Sequence, residues 1–185
     1  MKPSTLVLAL GLGLFAGVAQ AALRPGAAAP DFSVPAAIGG KDFSFSLAES
    51  LKKGPVVLYF YPKSFTRGCT IEAHEFAERH DQFVAAGATL IGLSSDTIET
   101  QREFSTKECH DKFAVGADPS LSVIKAYDAK RKRPDASGET LADRISYVIG
   151  PDGKVIYALV DTNPVKHVEN ALAFVKQWRE EHKPR

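Results

Sequence analysis

Six consecutive apolar residues, Val56-Val57-Leu58-Tyr59-Phe60-Tyr61, constrain this chain more than any other stretch. They do not alternate with polar residues and are mostly β-branched or aromatic, the pattern of a strand covered on both faces. Such a strand requires a packed layer on each side, and its neighbours in sequence supply helices. The stretch from about Cys69 to Ala86 carries Ile71, Phe76, Phe83 and Val84 at near-helical spacing and stops at Gly87. Ala88 to Leu93 reads as a second buried strand. Asp96 followed by Glu99 resembles a capping box, opening a helix that runs to about Cys109.

Upstream, Phe43, Phe45 and Leu47 alternate with polar residues after Ile38-Gly39-Gly40-Lys41, which predicts an N-terminal β-hairpin between Asp31–Val34 and Asp42–Leu47. A short helix follows through Lys52. Downstream, Phe113 to Gly116 reads as a short strand and Leu121 to Tyr127 as a short helix, while Lys130 to Thr140 has the composition of an exposed loop with a solvated basic tip. Arg144 to Ile149 and Lys154 to Val160 pair around Pro151-Asp152-Gly153. Asn163 caps a final helix that starts with Pro164 and presents Val168, Leu172, Val175 and Trp178 on one face. Alternating strands and helices with a closing hairpin and helix give an α/β, thioredoxin-like fold: a mixed central sheet flanked by helices.

The N-terminus is different in kind. Lys2 precedes an apolar run from Leu6 to Ala19 that ends in Ala19-Gln20-Ala21, the order of a secretory signal peptide cleaved after Ala21. The run is shorter than the roughly 20 residues that span a bilayer. Residues 1–21 are therefore expected to be a signal peptide and 22–185 a single domain, periplasmic or secreted, with no membrane attachment after cleavage. Loss of Lys2 leaves 22 basic and 22 acidic residues, which argues against a dedicated nucleic-acid binder.

Two cysteines are too few for a disulfide framework but enough for a redox pair or one reactive thiol. Cys69 falls in the first turn of the expected helix, near unpaired backbone N–H groups and the positive end of the helix dipole, both of which favour thiolate. A buried small hydrophobe is the alternative, but Thr66, Arg67, Gly68, Thr70 and Glu72 make a polar turn rather than a core run. Thr66 is placed to bring its hydroxyl beside the sulfur, and Pro62 fixes the loop's exit from the strand. His74, His80 and His110 show no metal-ligand spacing and read as surface residues on different faces.

Pro62, Thr66 and Cys69 form Pro-x-x-x-Thr-x-x-Cys, and the longer string from Phe60 to Glu72 resembles the bacterioferritin comigratory protein (peroxiredoxin Q) branch of the peroxiredoxins. Ala29-Pro30-Asp31-Phe32, Gly92-Leu93-Ser94 and Arg144-Ile145-Ser146-Tyr147-Val148-Ile149 extend the resemblance over nearly all of the chain after residue 21. The resemblance implies a thiol peroxidase for hydrogen peroxide and small organic hydroperoxides, working without metal, haem or flavin. Cys69 would be the nucleophile and Arg144 would hold thiolate and peroxide. Thr66 would bridge sulfur and peroxide, the amides of Gly68 and Cys69 would donate, Pro62 would shield the site, and Glu72 would orient Arg144. A monomer recycled by a thioredoxin-like, periplasmic reductant is also implied.

One position departs from the pattern. Many members of this branch carry the resolving cysteine five residues after the first, where this chain has His74. Cys109 is the other thiol, and a second version of the branch places its resolver in that helix. An intramolecular Cys69–Cys109 disulfide is therefore expected, formed after local unwinding. The alternatives are a one-cysteine peroxidase recycled by an external thiol, and a redox-sensing or chaperone-like binding protein.

Overall fold

The computed structural model describes residues 22–183, so the expected signal peptide lies outside the described residues. The elements, in order, are β1 (Ser33–Ile38), β2 (Lys41–Ser46), α1 (Leu47–Leu51), β3 (Val56–Phe60), α2 (Arg67–Ala85), β4 (Thr89–Ser94), α3 (Ile98–Lys107), β5 (Ala114–Ala117), α4 (Ser122–Ala126), β6 (Ile145–Ile149), β7 (Val155–Val160) and α5 (Pro164–Glu181).

The strands form one seven-stranded mixed sheet in the order β2-β1-β5-β4-β3-β6-β7. β3 lies inside the sheet next to the middle strand, parallel to β4 and antiparallel to β6. Every residue of β3 is buried, as its unbroken apolar run requires. Its side chains divide the core in two. Val56, Leu58 and Phe60 face one cluster with Phe32, Phe45, Tyr127 and Tyr147, while Val57, Tyr59 and Tyr61 face the other with residues of α2, α3 and α5. Thus the thioredoxin-like sandwich expected from the order of elements is present. The N-terminal hairpin continues the sheet, because β1 also pairs antiparallel with β5.

Three boundaries differ from the sequence reading. The hairpin strands run on through Pro35, Ala36 and Ala37 to the Gly39-Gly40 turn, because Ala36 and Ala37 are buried against β5. Thr97, not Asp96, caps α3, its hydroxyl accepting from Thr100 N–H. Asp96 is occupied elsewhere, accepting from the Ser64 amide at 2.8 Å and the Ser94 hydroxyl at 2.7 Å. Finally, α3 ends at Lys107, which leaves Cys109 in the turn beyond it, followed by His110 and Asp111 at positive φ of 51° and 59°. The expected caps of α5 hold, with Asn163 accepting from Val165 N–H at 3.0 Å and Pro164 in the first turn.

Candidate active site

The loop from Tyr61 to Thr66 leaves the central strand at its C-terminal end and delivers the chain into α2. A buried polar network fixes this loop. The Tyr61 hydroxyl donates to Gln101 Oε1 at 2.7 Å, and the Ser64 amide donates to Asp96. Gln101 Nε2 in turn donates to the Ser94 hydroxyl at 2.7 Å. Tyr61, Ser64, Ser94 and Gln101 are all buried, so these bonds satisfy groups that would otherwise be costly to hide from water. Phe65 takes a left-handed conformation (φ 63°) and sets its ring edge-on to Phe104 at 5.2 Å.

α2 begins at Arg67, which makes Cys69 its third residue. The first bond within the helix runs from Thr70 N–H to Thr66 O at 2.9 Å, so the amides of Arg67, Gly68 and Cys69 have no acceptor inside the helix. Thr66 occupies the N-cap position yet makes no capping bond, because its hydroxyl donates to Lys63 O at 2.9 Å rather than to the helix or to sulfur. Three consequences follow for an incoming ligand. The amides stay free to donate, the dipole's positive end stays open, and the Thr66 oxygen keeps lone pairs with which to accept.

Arg144 immediately precedes β6 and reaches across from the neighbouring strand. Its Nη2 donates to Cys69 Sγ at 3.5 Å, and its Nη1 is ion-paired with Glu72 Oε2. The guanidinium is held between the two: its side chain is 10% exposed, Glu72 is fully buried, and Cys69 is 2% exposed. Glu72 is one helical turn past Cys69, so both face Arg144 from the same side of α2. Burial pushes the Glu72 carboxyl up to about 8, against the pull of Arg144. The guanidinium thus bridges the Glu72 carboxyl and the Cys69 sulfur. Gly68 makes room for this contact, since a Cβ there would lie 3.1 Å from Arg144 Nη2.

Pro62 and Arg144 share a cleft of about 460 Å³ with Arg131, Asp143, Val160, Asp161 and Thr162. Arg131 comes from the basic stretch read as a solvated tip. The ends of that loop in fact return to the site, through the Arg131 N–H bond to Leu141 O at 2.9 Å and an ion pair between Lys63 and Glu139.

Pro62, Thr66, Gly68, Cys69, Glu72 and Arg144 are thus brought together. Cys109 shares a buried cluster with Cys69, on the same face of the sheet. It is completely buried, and burial, with Glu108 and Asp111 nearby, raises its thiol well above the usual range and keeps it protonated. His74 is not simply solvated: it pairs with Glu108 at 2.8 Å and packs its ring 4.9 Å from that of His110, so it touches the turn that carries Cys109. Among the described residues no group of three or more His, Cys, Asp or Glu side chains is placed to hold a metal ion. Sequence reasoning missed the Tyr61–Ser64–Ser94–Asp96–Gln101 network and a buried histidine, His167. Polar residues in or beside an apolar strand end, such as Ser94 and Asp96, were the available signal for the first.

The model of the AhpC/TSA family matches residues 25–158. Peroxiredoxin Bcp of Bacillus subtilis (strain 168) is 32% identical over 127 residues, 68% of this chain and 80% of that protein. Peroxiredoxin Bcp of Escherichia coli (strain K12) is 29% identical over 157 residues, 84% of this chain and 97% of that protein. Among solved structures, peroxidoxin BcpB from Mycobacterium tuberculosis superposes with a TM-score of 0.74 at 27% identity, covering 84% of this chain and 97% of that one. With a cysteine in the first turn of α2, an arginine donating to its sulfur and these relatives, the chain belongs to the AhpC/TSA family of peroxiredoxins and resembles its Bcp and peroxiredoxin Q branch.

Proposed function

We propose that this thiol peroxidase reduces hydrogen peroxide and small organic hydroperoxides at Cys69, with Cys109 as the resolving thiol. The observation that carries the first half is the 3.5 Å donation from Arg144 to Cys69 Sγ beside unbonded amides of a helix N-terminus. Cys69 thiolate attacks the terminal peroxide oxygen: an S–O bond forms, the O–O bond breaks, and the leaving hydroxide or alkoxide takes a proton. Sulfur is oxidised by two electrons and the peroxide is reduced. The free amides and Arg144 stabilise negative charge as it moves onto oxygen, and Thr66 accepts from the peroxide O–H. Pro62 contributes no N–H and walls the cleft beside Arg144.

In the second half, Cys109 sulfur attacks the Cys69 sulfenic acid; an S–S bond forms, the S–O bond breaks, and water leaves. A buried, protonated Cys109 cannot do this in place. The turn beyond α3, with two successive left-handed residues, supports a local opening that exposes and deprotonates it. A dithiol of the thioredoxin-like class then reduces the disulfide. The apolar run Leu6–Ala19 and the Ala19-Gln20-Ala21 site support export to the periplasm or beyond, which requires an exported reductant, and the resemblance to the peroxiredoxin Q branch supports a monomer.

Peroxide consumption with a dithiol reductant tests the proposal. Wild type should turn over and Cys69→Ser should not, whereas Cys109→Ser should complete the first oxidation and then depend on external thiol. A Cys109→Ser variant that recycles with the same dithiol as fast as wild type would assign resolution to an external thiol instead. Export is tested by N-terminal sequencing of the protein recovered outside the cytoplasm, which should begin at Ala22.

A further inference from the structure

His167 in the first turn of α5 is completely buried, and no step above uses it. Its Nε2 lies 2.9 Å from the Asp161 carbonyl and its Nδ1 lies 2.8 Å from Ser146 Oγ. A carbonyl only accepts, so Nε2 carries the proton. Nδ1 of the neutral ring then accepts from the Ser146 hydroxyl. The imidazole is neutral for two physical reasons, burial and the nearby charge of Arg144, which outweigh the opposing pull of Asp161.

The two partners of His167 lead to the two sides of the site. Ser146 is two residues beyond Arg144, so both project to the same face of the sheet, the one covered by α2 and α5. Asp161 and Thr162 line the cleft that Arg144 and Pro62 also line. One side chain thereby ties the strand that carries Arg144 to the turn that forms the wall of the cleft.

We infer that His167 is a positioning residue for peroxide reduction: its imidazole holds the β6 end that carries Arg144 against the 161–162 turn, fixing the guanidinium relative to Cys69 sulfur and the cleft. This rests on the assignment of Cys69 and Arg144 above. Arg144 donates to the Cys69 sulfur in every reaction of the thiol, but the placement of its charge matters most when oxygen becomes negative, so loss of position slows oxidation more than it slows alkylation.

The test compares two rates for Cys69 in the full chain: oxidation by hydrogen peroxide, followed by rapid quench and mass spectrometry, and alkylation by iodoacetamide. His167→Leu should slow oxidation by roughly tenfold and alkylation by much less. His167→Gln, which keeps a donor for the Asp161 carbonyl, should recover most of the loss, and Ser146→Ala should show a smaller loss of the same kind. Equal losses in both reactions, or oxidation at the wild-type rate in folded His167→Leu or Ser146→Ala, would overturn the inference. If His167→Leu does not fold, Ser146→Ala decides it by the same ratio, its oxidation falling more than its alkylation if the inference holds. A wild-type protein whose Cys69 is not oxidised by peroxide would instead defeat the underlying peroxidase assignment.

Discussion

At the scale of single residues, the site depends on where one guanidinium sits. Arg144→Met removes the donor to sulfur and should lower the rate of Cys69 oxidation by about 10²–10³-fold, the usual cost of losing a charge-stabilising donor, read by rapid-quench kinetics. Gly68→Ala separates activity from stability. Alanine suits a helix better than glycine by up to about 1 kcal/mol, yet its Cβ presses on Arg144 Nη2, which Glu72 and Cys69 prevent from retreating. The melting temperature should hold or rise while oxidation slows by roughly three- to tenfold. Glu72 sets a pH dependence. Its carboxyl titrates near 4.5 when unfolded and about 8 when folded, so between those values the folded state holds the extra proton. Stability from this group is full below about 4.5 and falls as pH rises to about 8. Glu72→Gln should flatten that part of a denaturation-versus-pH curve.

At the scale of elements, much of the fold was legible. The unbroken run Val56–Tyr61 has no polar residue to face solvent, so a central strand was its natural reading, and Asn163-Pro164 marked the start of α5 by local chemistry alone. Cys69 could be placed in a helix's first turn from the polar turn before it. Less legible were the features decided by contacts distant in sequence. Asp96 looked like a cap, but Ser64, 32 residues earlier, claims its carboxylate. His167 falls inside the final helix with no local signal of its own, and its partners come from β6 and the turn before α5. The role of Asp96 is testable in its own right. Asp96→Ala leaves the Ser64 amide and Ser94 hydroxyl without their acceptor and should cost about 1–3 kcal/mol by denaturant unfolding, with a parallel loss of Cys69 oxidation as the Tyr61–Thr66 loop loosens. Thr97→Ala, which only uncaps α3, should cost about 1 kcal/mol and leave that oxidation intact.

At the scale of the whole molecule, one face of the sheet carries both the site around Cys69 and the turn that holds Cys109. β3 and β6 hold Cys69 and Arg144 from adjacent strands, whereas Cys109 hangs beyond the end of α3 on the same covered face. The fully folded form therefore suits peroxide reduction and hides the thiol proposed to resolve it. Brief treatment of the reduced native protein with iodoacetamide should modify Cys69 and spare Cys109, whereas mild denaturant should expose both. The most direct measurement is the fate of the two sulfurs after one equivalent of hydrogen peroxide, read by non-reducing peptide mass spectrometry over time. The account predicts a Cys69 sulfenic acid first, at a rate far above that of an ordinary thiol, followed by a Cys69–Cys109 disulfide. Cys69 still reduced with the peroxide unconsumed, or Cys109 oxidised before Cys69, would contradict it.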